Sequence, residues 1–241
     1  MYRRLDIGTE KITAEEMRGV PHHLIDIRDA GEPYSAGDFM VDATRLISDI
    51  SARGKLPILV GGTHFYFDAL LNGLPLGVDM NMELREELEK LSSEELFANI
   101  QKEDPRRAEA LDPQNRRRLV RALEIIEARG TVPPRMTAVK LHSFEGGFEV
   151  EWVVINPERE ELRAKIDARL ATTVERGLVE EVQRVRGEVG DARLNELGLE
   201  YRIVGDFLRG DLLEKDLLPT LSSKLWQYAR RQKAWLRKLG H

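Results

Sequence analysis

The feature that most limits what this chain can fold into is the run Leu56-Pro57-Ile58-Leu59-Val60, followed at once by Gly61-Gly62-Thr63 and a helical stretch from about His64 to Leu71. Five apolar residues in a row leave no polar face, so the run reads as a strand covered on both sides, as in a parallel sheet. Upstream, His22-His23-Leu24-Ile25-Asp26-Ile27 follows Pro21 and reads as another short buried strand. Between them Ser35 caps a helix predicted near Ala36 to Arg53. Phe39, Ala43, Leu46, Ile47 and Ile50 fall at helical spacing, and Gly54 ends it. Strand, helix, strand, glycine-rich turn, helix is the order of an α/β doubly wound sheet. Residues Phe148 to Ile155 alternate and then turn apolar, which predicts a third strand rejoining that sheet.

The pattern changes after Gly73-Leu74-Pro75. From Met82 to Arg129 the signals are helical only: Glu83–Leu91, Ser93–Glu103, Pro105–Leu111 and Asn115–Arg129. This predicts a helical insertion over residues 76–147 within an α/β core formed by 1–75 and 148–241. Helices are predicted again beyond Pro157, over Arg159–Arg176, Val179–Arg186, Leu199–Leu208 and Glu214–Leu239. Three strands are few for such a core. The chain opens with no strand before Leu5 and contains no G-x-x-x-x-G-K-[ST] phosphate loop.

Composition narrows the function. With 241 residues the chain suits one large domain or a core plus an insertion. No run approaches the roughly 18 apolar residues of a membrane span, and the first residues lack the apolar stretch of a secretory signal. The absence of cysteine excludes disulfides, thiolate zinc sites and cysteine nucleophiles, and a cytoplasmic location is expected. A net charge of −5 argues against nucleic acid as a partner. The distribution argues the other way, because Lys224 to His241 carries Lys224, Arg230, Arg231, Lys233, Arg237 and Lys238 and no acid. Such a segment is either a polyanion-binding surface or the solvated face of a terminal helix.

Three motifs carry candidate chemistry. Gly61 and Gly62 at the end of the predicted strand let backbone approach a ligand, while the helix beyond offers N–H groups and a positive dipole end to phosphate. Thr63 adds a hydroxyl there, unless it is an ordinary helix cap. In the second motif Arg117 and Arg121 lie one turn apart with Arg118 flanking, opposite an apolar stripe of Leu119, Ala122, Leu123 and Ile126. Arginines at that spacing can clamp successive phosphates or pair with Glu124 or Glu127 on a solvated face. In the third, Arg230, Lys233 and Arg237 share a face interleaved with Tyr228 and Trp235, a mixture that suits RNA or diphosphate and also occurs in plain amphipathic helices. His22 and His23 point to opposite faces of a strand, so they do not form a metal site together. Asp26 and Asp29 are weak candidates to help hold Mg²⁺.

Seven blocks, in order along the whole chain, resemble the tRNA isopentenyltransferase family, the tRNA dimethylallyltransferases. Tyr2-Arg3-Arg4-Leu5-Asp6-Ile7-Gly8-Thr9 resembles the segment after that family's D-S-x-Q-V-Y motif. Pro21-His22-His23-Leu24-Ile25-Asp26, Tyr34-Ser35-Ala36-Gly37-Asp38-Phe39 and Val60-Gly61-Gly62-Thr63-His64-Phe65-Tyr66 resemble its P-H-H-L-I-D, Y-S-x-x-D-F and V-G-G-T-x-x-Y blocks. Arg118-Leu119-Val120-Arg121-Ala122-Leu123-Glu124 is similar to R-x-x-R-A-L-E. Gly198-Leu199-Glu200-Tyr201-Arg202 and Arg230-Arg231-Gln232-Lys233-Ala234-Trp235-Leu236-Arg237 resemble the last two.

The resemblance implies transfer of a dimethylallyl group from dimethylallyl diphosphate to N6 of adenine 37, beside the anticodon, with the base flipped into a channel. It implies a nucleotide-binding, P-loop kinase-like fold of the ATP-binding type, with the first part of that core lying upstream of Met1. Mg²⁺ is implied as cofactor, with its principal ligands and the proton-accepting aspartate also upstream. Thr63 would orient the reacting groups beside Gly61 and Gly62. Arg85, Arg117, Arg118 and Arg121 would contact tRNA, and Arg202 and Arg230 would sit near the diphosphate or the tRNA backbone. A monomer with no membrane association is expected. Lys233 and Ala234 depart from the family's residues before the Trp, and Ala234 brings no hydroxyl. On this reading the chain is an incomplete form without prenyl transfer of its own. A tRNA-binding short form and a small-molecule kinase relative are the alternatives, the latter disfavoured by the insertion arginines.

Overall fold

The computed structural model describes residues 1–75, 78, 81–133, 135–136 and 148–237. Among these, helices dominate: α1 (Ala36–Ala52), α2 (His64–Asn72), α3 (Met82–Leu88), α4 (Ser93–Glu103), α5 (Pro105–Glu109), α6 (Arg116–Arg129), α7 (Arg159–Glu175), α8 (Leu178–Leu197), α9 (Leu199–Arg209) and α10 (Glu214–Leu236). Local chemistry explains their starts. Ser35 and Asp38 form a reciprocal capping box at α1, and Ser92 and Glu95 do the same at α4. Asn115 accepts from the amide of Arg118 at the head of α6, and Gly130 in the left-handed region ends it.

The expected parallel sheet is not present among the described residues. The strands found there are β1 (Leu74–Pro75) and β2 (Arg135–Met136), a two-residue antiparallel pair, besides one isolated bridge between Tyr2 and Arg28. Among the described residues Leu56 to Val60 has no hydrogen-bonded neighbour strand, and Leu56, Ile58 and Val60 are 81%, 76% and 91% exposed. The third expected strand does not form among the described residues either, and Val153 and Ile155 are exposed. An apolar run codes for burial but does not supply its partner, and without one the backbone cannot form a ladder. The first expected strand fails for a local reason. Leu24 and Asp26 adopt positive φ, which bends the chain there, and Lys11 holds Asp26 while also binding Asp6. The P-loop kinase-like parallel core is therefore replaced, in what the structure describes, by helices whose backbone bonds are satisfied within themselves.

The chain divides into two units, residues 1–66 with 149–241, and residues 67–148, the boundary falling inside α2. The first unit packs α7, α8, α9 and α10 around Leu178, Val182, Leu194, Val204 and Leu221, and Leu5 joins that core from the N-terminal segment. Helix α8 was expected to stop at Arg186; it runs through Gly187 and breaks only at Gly190, whose φ of 74° suits a residue without Cβ. The second unit packs α3, α4, α5 and α6 around Leu96, Ile100, Leu119, Ala122 and Val132. The four residues of the α6 apolar stripe, Leu119, Ala122, Leu123 and Ile126, are all buried. Leu239 and Lys238 lie outside the described residues.

Candidate functional site

Helix α2 begins at the Gly61-Gly62-Thr63 turn, where the amides of His64 and Tyr66 donate to the carbonyls of Gly62 at 3.1 Å and Thr63 at 3.0 Å. The turn is pinned from α10. Gln232 donates through Nε2 to the carbonyl of Gly62 at 2.8 Å, and a Cβ at Gly62 would stand 2.2 Å from that nitrogen. The glycine is thus needed for close approach, and the group that approaches is the protein's own side chain. Beside it His64 stacks on Trp235, with centroids 5.0 Å apart, and Trp152 meets Trp235 edge-on. Tyr66 stacks on Phe39 of α1 at 4.7 Å, and burial raises its pKa. The start of α2 is therefore held by aromatic contacts on two sides.

Thr63 faces a pocket of about 320 Å³ lined also by Gly8, Thr9, Glu10, Arg169, Leu197, Gly198, Glu200, Tyr201 and Tyr228. Thr63 is exposed, and among the described residues its hydroxyl has no hydrogen-bond partner. Burial raises the pKa of Glu200, more than Arg169 at 3.8 Å lowers it, and Glu10 adds to the rise. Glu10 accepts from Thr173 at 2.7 Å. The pocket therefore combines the hydroxyls of Thr63 and Tyr228 with two carboxylates and one guanidinium, a polar lining able to orient a base that carries both donors and acceptors.

The other expected residues fall into distinct environments. Arg202 on α9 and Arg230 on α10 are exposed and unpaired among the described residues, and both belong to the same unit as Thr63. Arg117 and Arg118 are exposed at the start of α6, their guanidinium groups without partners among the described residues. Arg85 and Arg121 are committed instead. Arg85 binds buried Glu124 through Nε at 2.6 Å and Nη2 at 3.0 Å, and Arg121 binds it at 3.0 Å and also donates to the carbonyl of Val78. Burial would raise the Glu124 pKa, but the hydrogen bonds and charges of the two arginines outweigh it and hold the carboxyl below its ordinary range. The neighbouring Arg116 caps the end of α3, donating to the carbonyls of Leu88, Glu89 and Leu91.

Asp26 and Asp29 are ion-paired to Lys11 and Arg3. Among the described residues no group of three or more His, Asp or Glu is placed to hold a metal ion. No described helix is long and apolar enough to cross a membrane. Glu10, Arg169, Glu200, Tyr201 and Tyr228 enter the site from the structure. Of these, Glu200, Tyr201 and Tyr228 stand inside stretches noticed in the sequence, while Glu10 and Arg169 give no local signal.

Residues 1–239 match the model of a family described as IPP transferase. The chain is 42% identical over 247 residues to a tRNA dimethylallyltransferase of Thermomicrobium roseum, covering 99% of this chain and 73% of that one. It is similar to the crystal structure of the full-length tRNA isopentenylpyrophosphate transferase of Bacillus halodurans, with a TM-score of 0.64 and 35% identity over 98% of this chain and 75% of that one. It is also similar to a eukaryotic dimethylallyltransferase studied acting on tRNA, with a TM-score of 0.73 and 26% identity over 95% and 59%.

Proposed function

The chain belongs to the IPP transferase family, and from that premise we propose that the Thr63 pocket is where a tRNA adenine meets the prenyl donor. The activity is tRNA modification by dimethylallyl transfer, so the chain is a prenyltransferase. In the proposed step N6 of adenine 37 attacks the dimethylallyl carbon of dimethylallyl diphosphate. A C–N bond forms, the C–O bond breaks, the diphosphate leaves with the electron pair, and N6 loses a proton. The observation that carries this reading is the unpartnered Thr63 hydroxyl, set at the head of α2 and opening on a polar pocket.

Charge that develops on the leaving diphosphate calls for donors fixed before the reaction. The uncommitted Arg202 and Arg230 of the same unit support such a role. Arg117 and Arg118 have guanidinium groups free to reach an RNA backbone. Arg85 and Arg121 act on this reading as the Glu124-bound flank of that surface. Enzymes of this kind in general use Mg²⁺; among the described residues no group of three or more His, Asp or Glu is placed to hold it. The cytoplasm, where tRNA is found, is the proposed place of action.

The test is Thr63→Val, which removes the hydroxyl and keeps the volume. Transfer to an anticodon stem-loop RNA should fall about 10- to 100-fold with melting unchanged. A folded variant that transfers at the rate of the unaltered chain sinks the assignment.

A further inference from the structure

Behind the pocket wall lies a buried carboxylate that is not part of the pocket lining. Glu181 of α8 has 3% of its side chain exposed. Its Oε2 accepts from the amides of Asp6 at 2.8 Å and Ile7 at 2.9 Å. Its Oε1 accepts from the amide of Gly8 at 2.9 Å and from the Tyr201 hydroxyl at 2.6 Å. Three consecutive amides converging on one anion form a concave nest of the kind that captures phosphate in other settings. Here the anion is built into the chain, 173 to 175 residues away in sequence. Burial opposes the charge, but the amides of Gly8 and Ile7, the Tyr201 hydroxyl and the amide of Asp6 outweigh it and hold the pKa down.

These bonds lead to the site. Gly8 and Tyr201 both line the Thr63 pocket. The Tyr201 ring lies so close to Gly8 that a Cβ there would come within 2.9 Å of the ring. Glu181 thus ties a strip of backbone and an aromatic ring to one point and so sets the width of the pocket between them. The helices do not need it for their own packing, since Leu178, Val182, Leu194 and Val204 join α8 to α9 through apolar contact.

We infer that Glu181 is a positioning residue for prenyl transfer, holding the Asp6–Gly8 strip and Tyr201 as one rigid wall of the pocket. The inference rests on the proposed function for the pocket's role, and on geometry alone for the wall.

The experiment compares the full chain with Glu181→Ala, Glu181→Gln and Tyr201→Phe. It measures kcat and KM for transfer from dimethylallyl diphosphate to an anticodon stem-loop RNA, together with amide hydrogen exchange. Glu181→Ala and Glu181→Gln should lower kcat by about 100-fold, the scale of a reacting group displaced by about 1 Å, and leave the RNA KM within about twofold. Exchange at Asp6, Ile7 and Gly8 should speed up by about 10- to 100-fold, while α8 and α9 stay protected. Tyr201→Phe, which keeps the three amide bonds, should lose less than either Glu181 variant. A folded Glu181→Ala that keeps the unaltered kcat overturns the inference. So does a loss of protection spread evenly through α8 and α9, which marks a purely structural carboxylate. No transfer by the unaltered chain counts against the proposed function instead, and exchange then decides: unchanged protection at the three amides refutes the wall.

Discussion

Glu124→Gln should destabilise the second unit by about 2–4 kcal/mol, because the one buried carboxylate pairs with two arginines at once. Its side chain is 0% exposed, while those of Arg85 and Arg121 are 32% and 37% exposed. Breaking a buried ion pair from one side costs about 3–5 kcal/mol, and the water still reaching both guanidiniums offsets part of that. Glutamine keeps the volume, so a cavity adds little. In urea the change corresponds to a midpoint lowered by about 1–2 M with an unchanged slope. The reporters separate the units. Trp152, Trp226 and Trp235 all lie in the first unit, so their fluorescence should keep its midpoint while far-ultraviolet dichroism shows the early loss of α3 to α6. The sign with pH is fixed by the depressed pKa: the stabilisation is present above the ordinary glutamate value of 4.5 and is lost as pH falls through the lower folded value. The glutamine variant should therefore show a flatter acid limb. An unshifted dichroism midpoint refutes the reasoning, as does strict additivity of Glu124→Gln with Arg85→Met.

Beyond Thr63→Val, Arg117→Ala with Arg118→Ala should weaken tRNA binding. It should also reduce the slope of log affinity against log salt by about 0.7–0.9 for each lost phosphate contact, with stability changed by less than about 0.5 kcal/mol. Filter binding across a salt series reads the slope, and an unchanged slope removes both residues from the RNA surface. Gly62→Ala should displace the end of Gln232 and break its bond to the Gly62 carbonyl. Transfer should drop while stability changes by about 1 kcal/mol or less, since a flexible side chain can move aside; a large loss of melting temperature contradicts this.

Helices were legible because their code is local. Ser35 with Asp38, Ser92 with Glu95, and the Leu119, Ala122, Leu123, Ile126 stripe each lie within a few residues. The sheet was misread because Leu56 to Val60 announces only that it is apolar; pairing depends on a neighbour that periodicity cannot supply. The site was half legible. Gly61-Gly62-Thr63 stands out as a turn before a helix, yet the group that demands Gly62 is Gln232, 170 residues on. Glu181 looks like any acid in the first turn of a helix, where a carboxylate suits the dipole. Only the folded chain shows it turned inward to three amides. The arginine pattern at 117, 118 and 121 left a clamp and an ion-paired face open, and the structure divides it, pairing Arg121 and leaving the other two side chains free.

The bare Leu56–Val60 segment also sets how the protein behaves in a crowded tube. Backbone that joins no ladder among the described residues, with apolar side chains turned outward, is a template on which a second molecule can add. Loss of material over time is then governed by how often molecules meet, and not by the melting temperature. Pro57 acts as a brake within the segment, since it has no N–H to offer a growing ladder. Pro57→Val should shorten the lag before light scattering rises in a concentrated sample while the thermal midpoint stays put. An unaltered lag means that the growth front lies elsewhere on the molecule.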